Sequence, residues 1–106
     1  MEKDFYCDII LKDKVEIKKI IETENILAYY HTNPSWPLHI VVITKEHFES
    51  LIDIPSNSKL LAEMFEVLNK IITKTTEKHG GCRLTTNFGH LQETKHLHWH
   101  IYIGDM

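Results

Sequence analysis

Between His96 and Ile103 the chain reads His-Leu-His-Trp-His-Ile-Tyr-Ile, an alternation of imidazole and apolar side chains that suits one backbone shape above all others. Successive side chains of an extended strand point to opposite faces. His96, His98 and His100 therefore share one face, and Leu97, Trp99, Ile101 and Ile103 share the other. The apolar face must be covered, which leaves the imidazole face for chemistry. Eight histidines occur in 106 residues, five of them between His79 and His100. At that composition a His-x-His-x-His arises in about 4% of shuffled sequences, and the apolar partners make chance rarer still.

The rest of the chain supplies the cover. From Ser58 to His79, Leu60, Leu61, Met64, Phe65, Leu68, Ile71 and Ile72 recur at helical spacing, and Gly80-Gly81 stops the pattern. Leu38 to Thr44 contains the β-branched run Ile40-Val41-Val42-Ile43 and predicts a buried central strand. Ile17 to Glu22 and Asn25 to Tyr30 read as two strands joined by a turn at Thr23-Glu24. Asp8 to Leu11 reads as a short helical turn, and His31 to Pro37 as a breaker. Cys82 to Asn87 and Leu97 to Ile103 are the last two strands, with a Gly89-containing loop between them. The order β-β-β-α-β-β predicts an α+β fold, an antiparallel five-stranded sheet with one long helix packed on it. No linker or composition shift divides the chain, so residues 1–106 are read as one domain.

Composition narrows the partners. A formal net charge of −3 without a Lys/Arg run gives no electrostatic footprint for duplex nucleic acid, so a small or locally gripped substrate is expected. No apolar stretch approaches the roughly 20 residues of a membrane span, and the acidic start lacks the marks of a signal peptide. A cytoplasmic location is the expectation. Cys7 and Cys82 lie far apart and form no Cys-x-x-Cys, which predicts reduced thiols.

Three uses of the histidine strand compete. The imidazoles could simply line a polar surface. They could bind metal, although residues four apart on a strand lie about 13 Å from each other, so a single ion can use neighbours but hardly all three. Or one neutral imidazole could attack phosphorus while the others position phosphate oxygens and move protons, a role suited to a group whose ordinary pKa lies near 6.5. The middle histidine, His98, is the natural nucleophile because it alone has a partner on each side.

Read as His96-Leu-His98-Trp-His100-Ile-Tyr, the strand resembles the motif of the histidine triad (HIT) family, and the likeness spans nearly the whole chain. Tyr6-Cys-Asp-Ile-Ile is similar to that family's opening, and Glu22 to Tyr30 followed by Asn33 to His47 is similar to its second block. Asn87-x-Gly89 and Gln92 match the approach to the triad. The resemblance is to the branch that contains nucleoside phosphoramidases. It implies hydrolysis or transfer at the α-phosphate of a purine nucleotide conjugate through a nucleotidyl-histidine on His98, flanked by His96 and His100 and completed by His39. It further implies phosphate donors in Asn87 and Gln92, a purine pocket lined by Tyr6, Ile9, Val15 and Tyr29, and a homodimer. No cofactor and no catalytic metal are expected. The rival readings are a slow nucleotide-binding module of the same fold and a zinc-dependent hydrolase.

Several positions depart from the family pattern. His31 stands where many members place an Asp or Asn on the ribose hydroxyls. The loop Gly89-His90-Leu91-Gln92 is about two residues shorter than usual, and Glu93 replaces a Ser or Thr beside the leaving group. A carboxylate there repels phosphate unless it meets a cationic leaving group or turns toward Lys95. Some relatives hold a structural zinc through an N-terminal Cys-x-x-Cys and later histidines. Here Cys7 remains, Asp4 takes the other cysteine's place, and His47 is a candidate partner.

Overall fold

The computed structural model describes residues 6–12 and 15–104, apart from the side chains of Asp8 and Ile9. Asp4 and the Ile9 side chain, singled out above, lie outside the described residues. The chain forms strands β1 (Lys19–Glu22), β2 (Ile26–Tyr30) and β3 (Leu38–Thr44), helix α1 (Lys59–His79), then β4 (Arg83–Thr86) and β5 (His98–Ile103). The sheet is antiparallel throughout, in the order β1-β2-β3-β5-β4. This is the expected α+β architecture, with β3 central. Three short helical turns, Tyr6–Ile10, Leu51–Asp53 and Gly89–Leu91, sit at the connections. The last two were not legible as periodic patterns because each spans only three residues.

Helix α1 begins and ends where its chemistry directs. The Ser58 hydroxyl accepts a hydrogen bond from the Leu60 amide at 3.1 Å, and Gly80 closes the helix in a left-handed conformation with φ 88°. Met64, Val67, Leu68 and Ile71 are buried and pack against Ile26, Ala28, Ile40, Val42, Leu97, Trp99 and Ile101 of the sheet. Each such side chain contributes about 1.5–3 kcal/mol relative to exposure. The apolar stripe is thus spent on the chain's own sheet, and Phe65 beside it stays 44% exposed. Glu63 docks the β1–β2 hairpin: its carboxylate accepts from the Thr23 hydroxyl and from both the backbone and side-chain amides of Asn25, the latter two at 2.9 Å.

The opposite face of the sheet carries a second cluster, in which Tyr6 and Ile10 of the N-terminal turn cover Leu27, Tyr29, Val41 and Ile43. In register, His98 lies opposite Ile43, His100 opposite Val41 and Tyr102 opposite His39. The histidines therefore share the face away from α1, as the alternation requires.

Candidate active site

His98 and His100 project from β5, His39 from β3, and His96 from the residue pair that leads into β5. Their hydrogen bonds assign each ring a distinct state. His98 Nδ1 lies 2.7 Å from the carbonyl oxygen of His96, an acceptor only, so Nδ1 carries the proton and the Nε2 lone pair is left available. The Ser35 backbone amide donates to His39 Nδ1 at 3.2 Å, which places the His39 proton on Nε2. That Nε2–H donates to His100 Nδ1 at 2.7 Å, so His100 in turn carries its proton on Nε2. A nucleophilic nitrogen on His98 and a hydrogen-bond donor on His100 thereby stand side by side, their rings 4.9 Å apart and at 86°.

The site keeps these rings neutral. Burial, reinforced by the neighbouring imidazoles, pushes His39 down to about 4 and His100 down to about 3. Burial also lowers His98, against the opposing pull of the His96 carbonyl. A neutral His98 is the form that can attack.

His96 is fully buried, His98 nearly so, and only His100 of the three is half-exposed. The His96 Nε2 bonds to the Thr44 carbonyl oxygen at 2.7 Å, and its Nδ1 lies 3.4 Å from the Cys7 sulfur. Its backbone carbonyl, rather than its ring, meets His98. Cys7, His47 and His96 offer ligand atoms that all lie within 4.8 Å of one another. A tetrahedral zinc with bonds of about 2.3 Å to sulfur and about 2.1 Å to nitrogen separates such atoms by comparable distances, so the thiol and two imidazoles fit one zinc ion. These residues would hold it beside the N-terminal turn, where it would supply structural cross-linking. His96 joining Cys7 and His47 was not anticipated, because the pairing spans 89 residues.

The expected substrate contacts are distributed unevenly. Tyr6 stacks in tilted fashion on His98, 4.9 Å between ring centres, and Tyr29 is buried in the same cluster, its hydroxyl pushed further up by burial. Val15 is 38% exposed and belongs to neither core cluster. His31 stacks on His39 at 4.3 Å and accepts the Asn33 amide on Nδ1 at 2.9 Å. Asn87, half-buried beyond β4, makes no side-chain hydrogen bond among the described residues and is free to meet a ligand. Gln92 is buried and its amide nitrogen donates to the Glu49 carbonyl at 2.6 Å, which anchors the loop before the triad. Lys95 donates to the Gly89 carbonyl rather than pairing with Glu93.

Trp36 is a further supporting residue. Its ring stacks on Tyr102 at 3.9 Å and meets His39 edge-on at 4.8 Å, while Gly104 lies so close that no side chain fits between them. Its place in a Pro-bracketed segment gave a signal for a turn and none for a buttress.

Comparison with known proteins agrees with this arrangement. The family model described as HIT domain matches residues 12–105. An uncharacterized HIT-like protein of Helicobacter pylori is 34% identical over 98 residues, covering 91% of this chain and 92% of that protein. The solved structure of a histidine triad protein from Clostridium difficile is 35% identical with a TM-score of 0.79, covering all of this chain and 96% of that one. A hypothetical histidine triad nucleotide-binding protein from Sulfolobus tokodaii is 32% identical with a TM-score of 0.78, covering 94% of this chain and 70% of that one. A HIT family hydrolase from Clostridium thermocellum is 30% identical with a TM-score of 0.79, covering 99% and 93%.

Proposed function

The chain belongs to the histidine triad family, and on that premise we propose that it is a nucleotide hydrolase or transferase, working as a homodimer, that cleaves at the α-phosphate of a purine nucleoside phosphoramidate or related conjugate. The observation that carries this reading is the tautomer of His98: Nδ1–H is tied to the His96 carbonyl and Nε2 is left with a lone pair beside the Nε2–H of His100. A hydrolase and a nucleotide-binding protein among the similar structures support it.

In this mechanism the His98 Nε2 lone pair forms a bond to phosphorus while the bond to the leaving group breaks. The leaving group keeps that electron pair and takes a proton from solvent. The ring becomes a cation, and the His96 carbonyl dipole at Nδ1 stabilises it. His100 Nε2–H donates to a phosphate oxygen as charge builds there, with His39 fixing its orientation. Water then attacks phosphorus, the Nε2–P bond breaks, its pair returns to His98, and the surplus proton passes to solvent.

Incubation with adenosine 5′-phosphoramidate followed by alkaline trapping should leave an acid-labile adduct on the wild type and none on His98→Ala. The variant should lose at least about 10³-fold in kcat/KM. Equal labelling of the variant refutes the assignment, and tight binding without turnover by the wild type identifies a binding module instead.

A further inference from the structure

We infer that the cleft between the C-terminal half of α1 and the β1 side of the sheet binds a small apolar carboxylate, at a site separate from the histidine face. The cleft has a volume of about 210 Å³. That exceeds the roughly 150 Å³ in which a benzene ring can be held. Its floor is apolar, made by Ile20 and Ile21 of β1, Leu38 and Ile40 of β3 and Ile71 of α1. Neighbouring residues of a regular strand face opposite ways, yet both isoleucines of β1 pack on the α1 side. The register with β2 shifts between Lys19 and Ile21, and that irregularity brings the two to one side.

The rim is cationic. Ile71, Lys74, Thr75 and Lys78 line the cleft at helical spacing, so one stripe of α1 is turned toward it. Lys74 and Lys78 are exposed and make no ion pair among the described residues, and His79 follows them at the helix end. Tyr30, 41% exposed, closes the sheet side, and the Lys18 ammonium stands 5.5 Å from the centre of its ring. No acidic residue lines the cleft among the described residues. Cations are favoured at any helix C-terminus, which accounts for Lys78 and His79 but not for the apolar floor beneath them. Nor does it account for Thr75, which is 7% exposed and whose hydroxyl has no hydrogen bond among the described residues. A buried hydroxyl without a partner is costly, and a ligand oxygen at the rim relieves it.

The chemistry of the occupant follows from both halves of the cleft. A plain hydrocarbon leaves the two lysines and Thr75 unmatched, and a phosphate leaves the apolar floor uncovered. A carboxylate on a compact apolar body satisfies both. Leu38 and Ile40 flank His39 on β3 and so face the other way, and β1 is the sheet edge opposite β4. Neither a nucleotide on the histidine face nor a second copy paired along β4 covers this cleft.

The test uses 4-isopropylbenzoate and its neutral counterpart of the same shape, 4-isopropylbenzamide, titrated at low salt while the methyl NMR signals of Ile20, Leu38 and Ile71 are followed. Wild type should bind the benzoate at those methyls with a Kd of about 1 mM or below, as suits a ligand this small. The amide should bind about 3- to 10-fold more weakly. The double variant Lys74→Gln/Lys78→Gln, changed only at exposed positions, should bind acid and amide equally, with the affinity for the amide unchanged. Thr75→Val should weaken the benzoate while the protein keeps its fold by the same spectrum. The inference is overturned if about 5 mM benzoate leaves the three methyl signals in place, if wild type binds acid and amide alike, or if the preference survives in the double variant.

Discussion

At the scale of single residues, the protein separates four imidazoles into different jobs by controlling what each nitrogen touches. His98 is held by a carbonyl, His39 by a backbone amide, His100 by His39, and His96 by Thr44. Keeping such rings neutral in the fold has a thermodynamic consequence. The unfolded chain binds protons on these histidines near pH 6.5, whereas folded His39 resists protonation down to about 4 and His100 down to about 3. Below pH 6.5 the unfolded state binds more protons, so stability is complete above that pH and is lost as the pH falls toward 4. Urea unfolding between pH 7.5 and 4.5 should show this decline, and His39→Gln should make it shallower. A slope unchanged by the substitution would show that His39 is protonated equally in both states. Little of this could be read from the residue pattern: the alternation identified the face, but tautomers depend on the Ser35 amide and the carbonyls of Thr44 and His96.

Among the elements, β3 and β5 matter most because they present His39 and His100 to each other across a strand pair. The strand ends are held by aromatic packing. Trp36 lies over Tyr102, which pairs with His39 in register, and Gly104 leaves room for the indole. Gly104→Ala places a Cβ inside contact distance of that ring, so Trp36 must move and His39 loses its edge-on neighbour. Overpacking of this kind costs about 1–3 kcal/mol. Turnover should drop more than nucleotide affinity, and the measurement is kcat against KM together with the melting temperature; unchanged values for both would remove Trp36 from the support of the site. The expected elements match the observed ones closely where periodicity was long. Helix α1, expected from Ser58, starts at Lys59 with Ser58 as its cap, and β3 keeps both its ends. The first strand, expected from Ile17, forms only from Lys19, which already pairs with Tyr29 next to the end of β2, and Ile17 packs against the second core cluster instead.

For the whole molecule, the sheet order leaves β4 at an edge beside β5, the strand that bears His98 and His100. Leu84 on β4 pairs with Ile101 and so lies on the α1 side, where it is 40% exposed. A second copy that pairs along β4 would cover Leu84, which gives the homodimer implied by the family resemblance a place to form. Sedimentation should give a species of twice the monomer mass at micromolar concentration, and Leu84→Asp should shift it to the monomer; a wild type that sediments as a monomer rules the pairing out. By itself the sequence determined the α+β class, the long helix and the face on which the histidines stand, since those follow from spacing along a single segment. Only the tertiary structure decided that His96 turns inward toward Cys7 and His47, that Gln92 is spent on the Glu49 carbonyl, and that Glu93 stays unpaired. The first two outcomes depend on contacts between residues separated by tens of positions, and the third on a lysine that turns to a carbonyl instead. Periodicity records which way a side chain faces; it does not record which atom it meets.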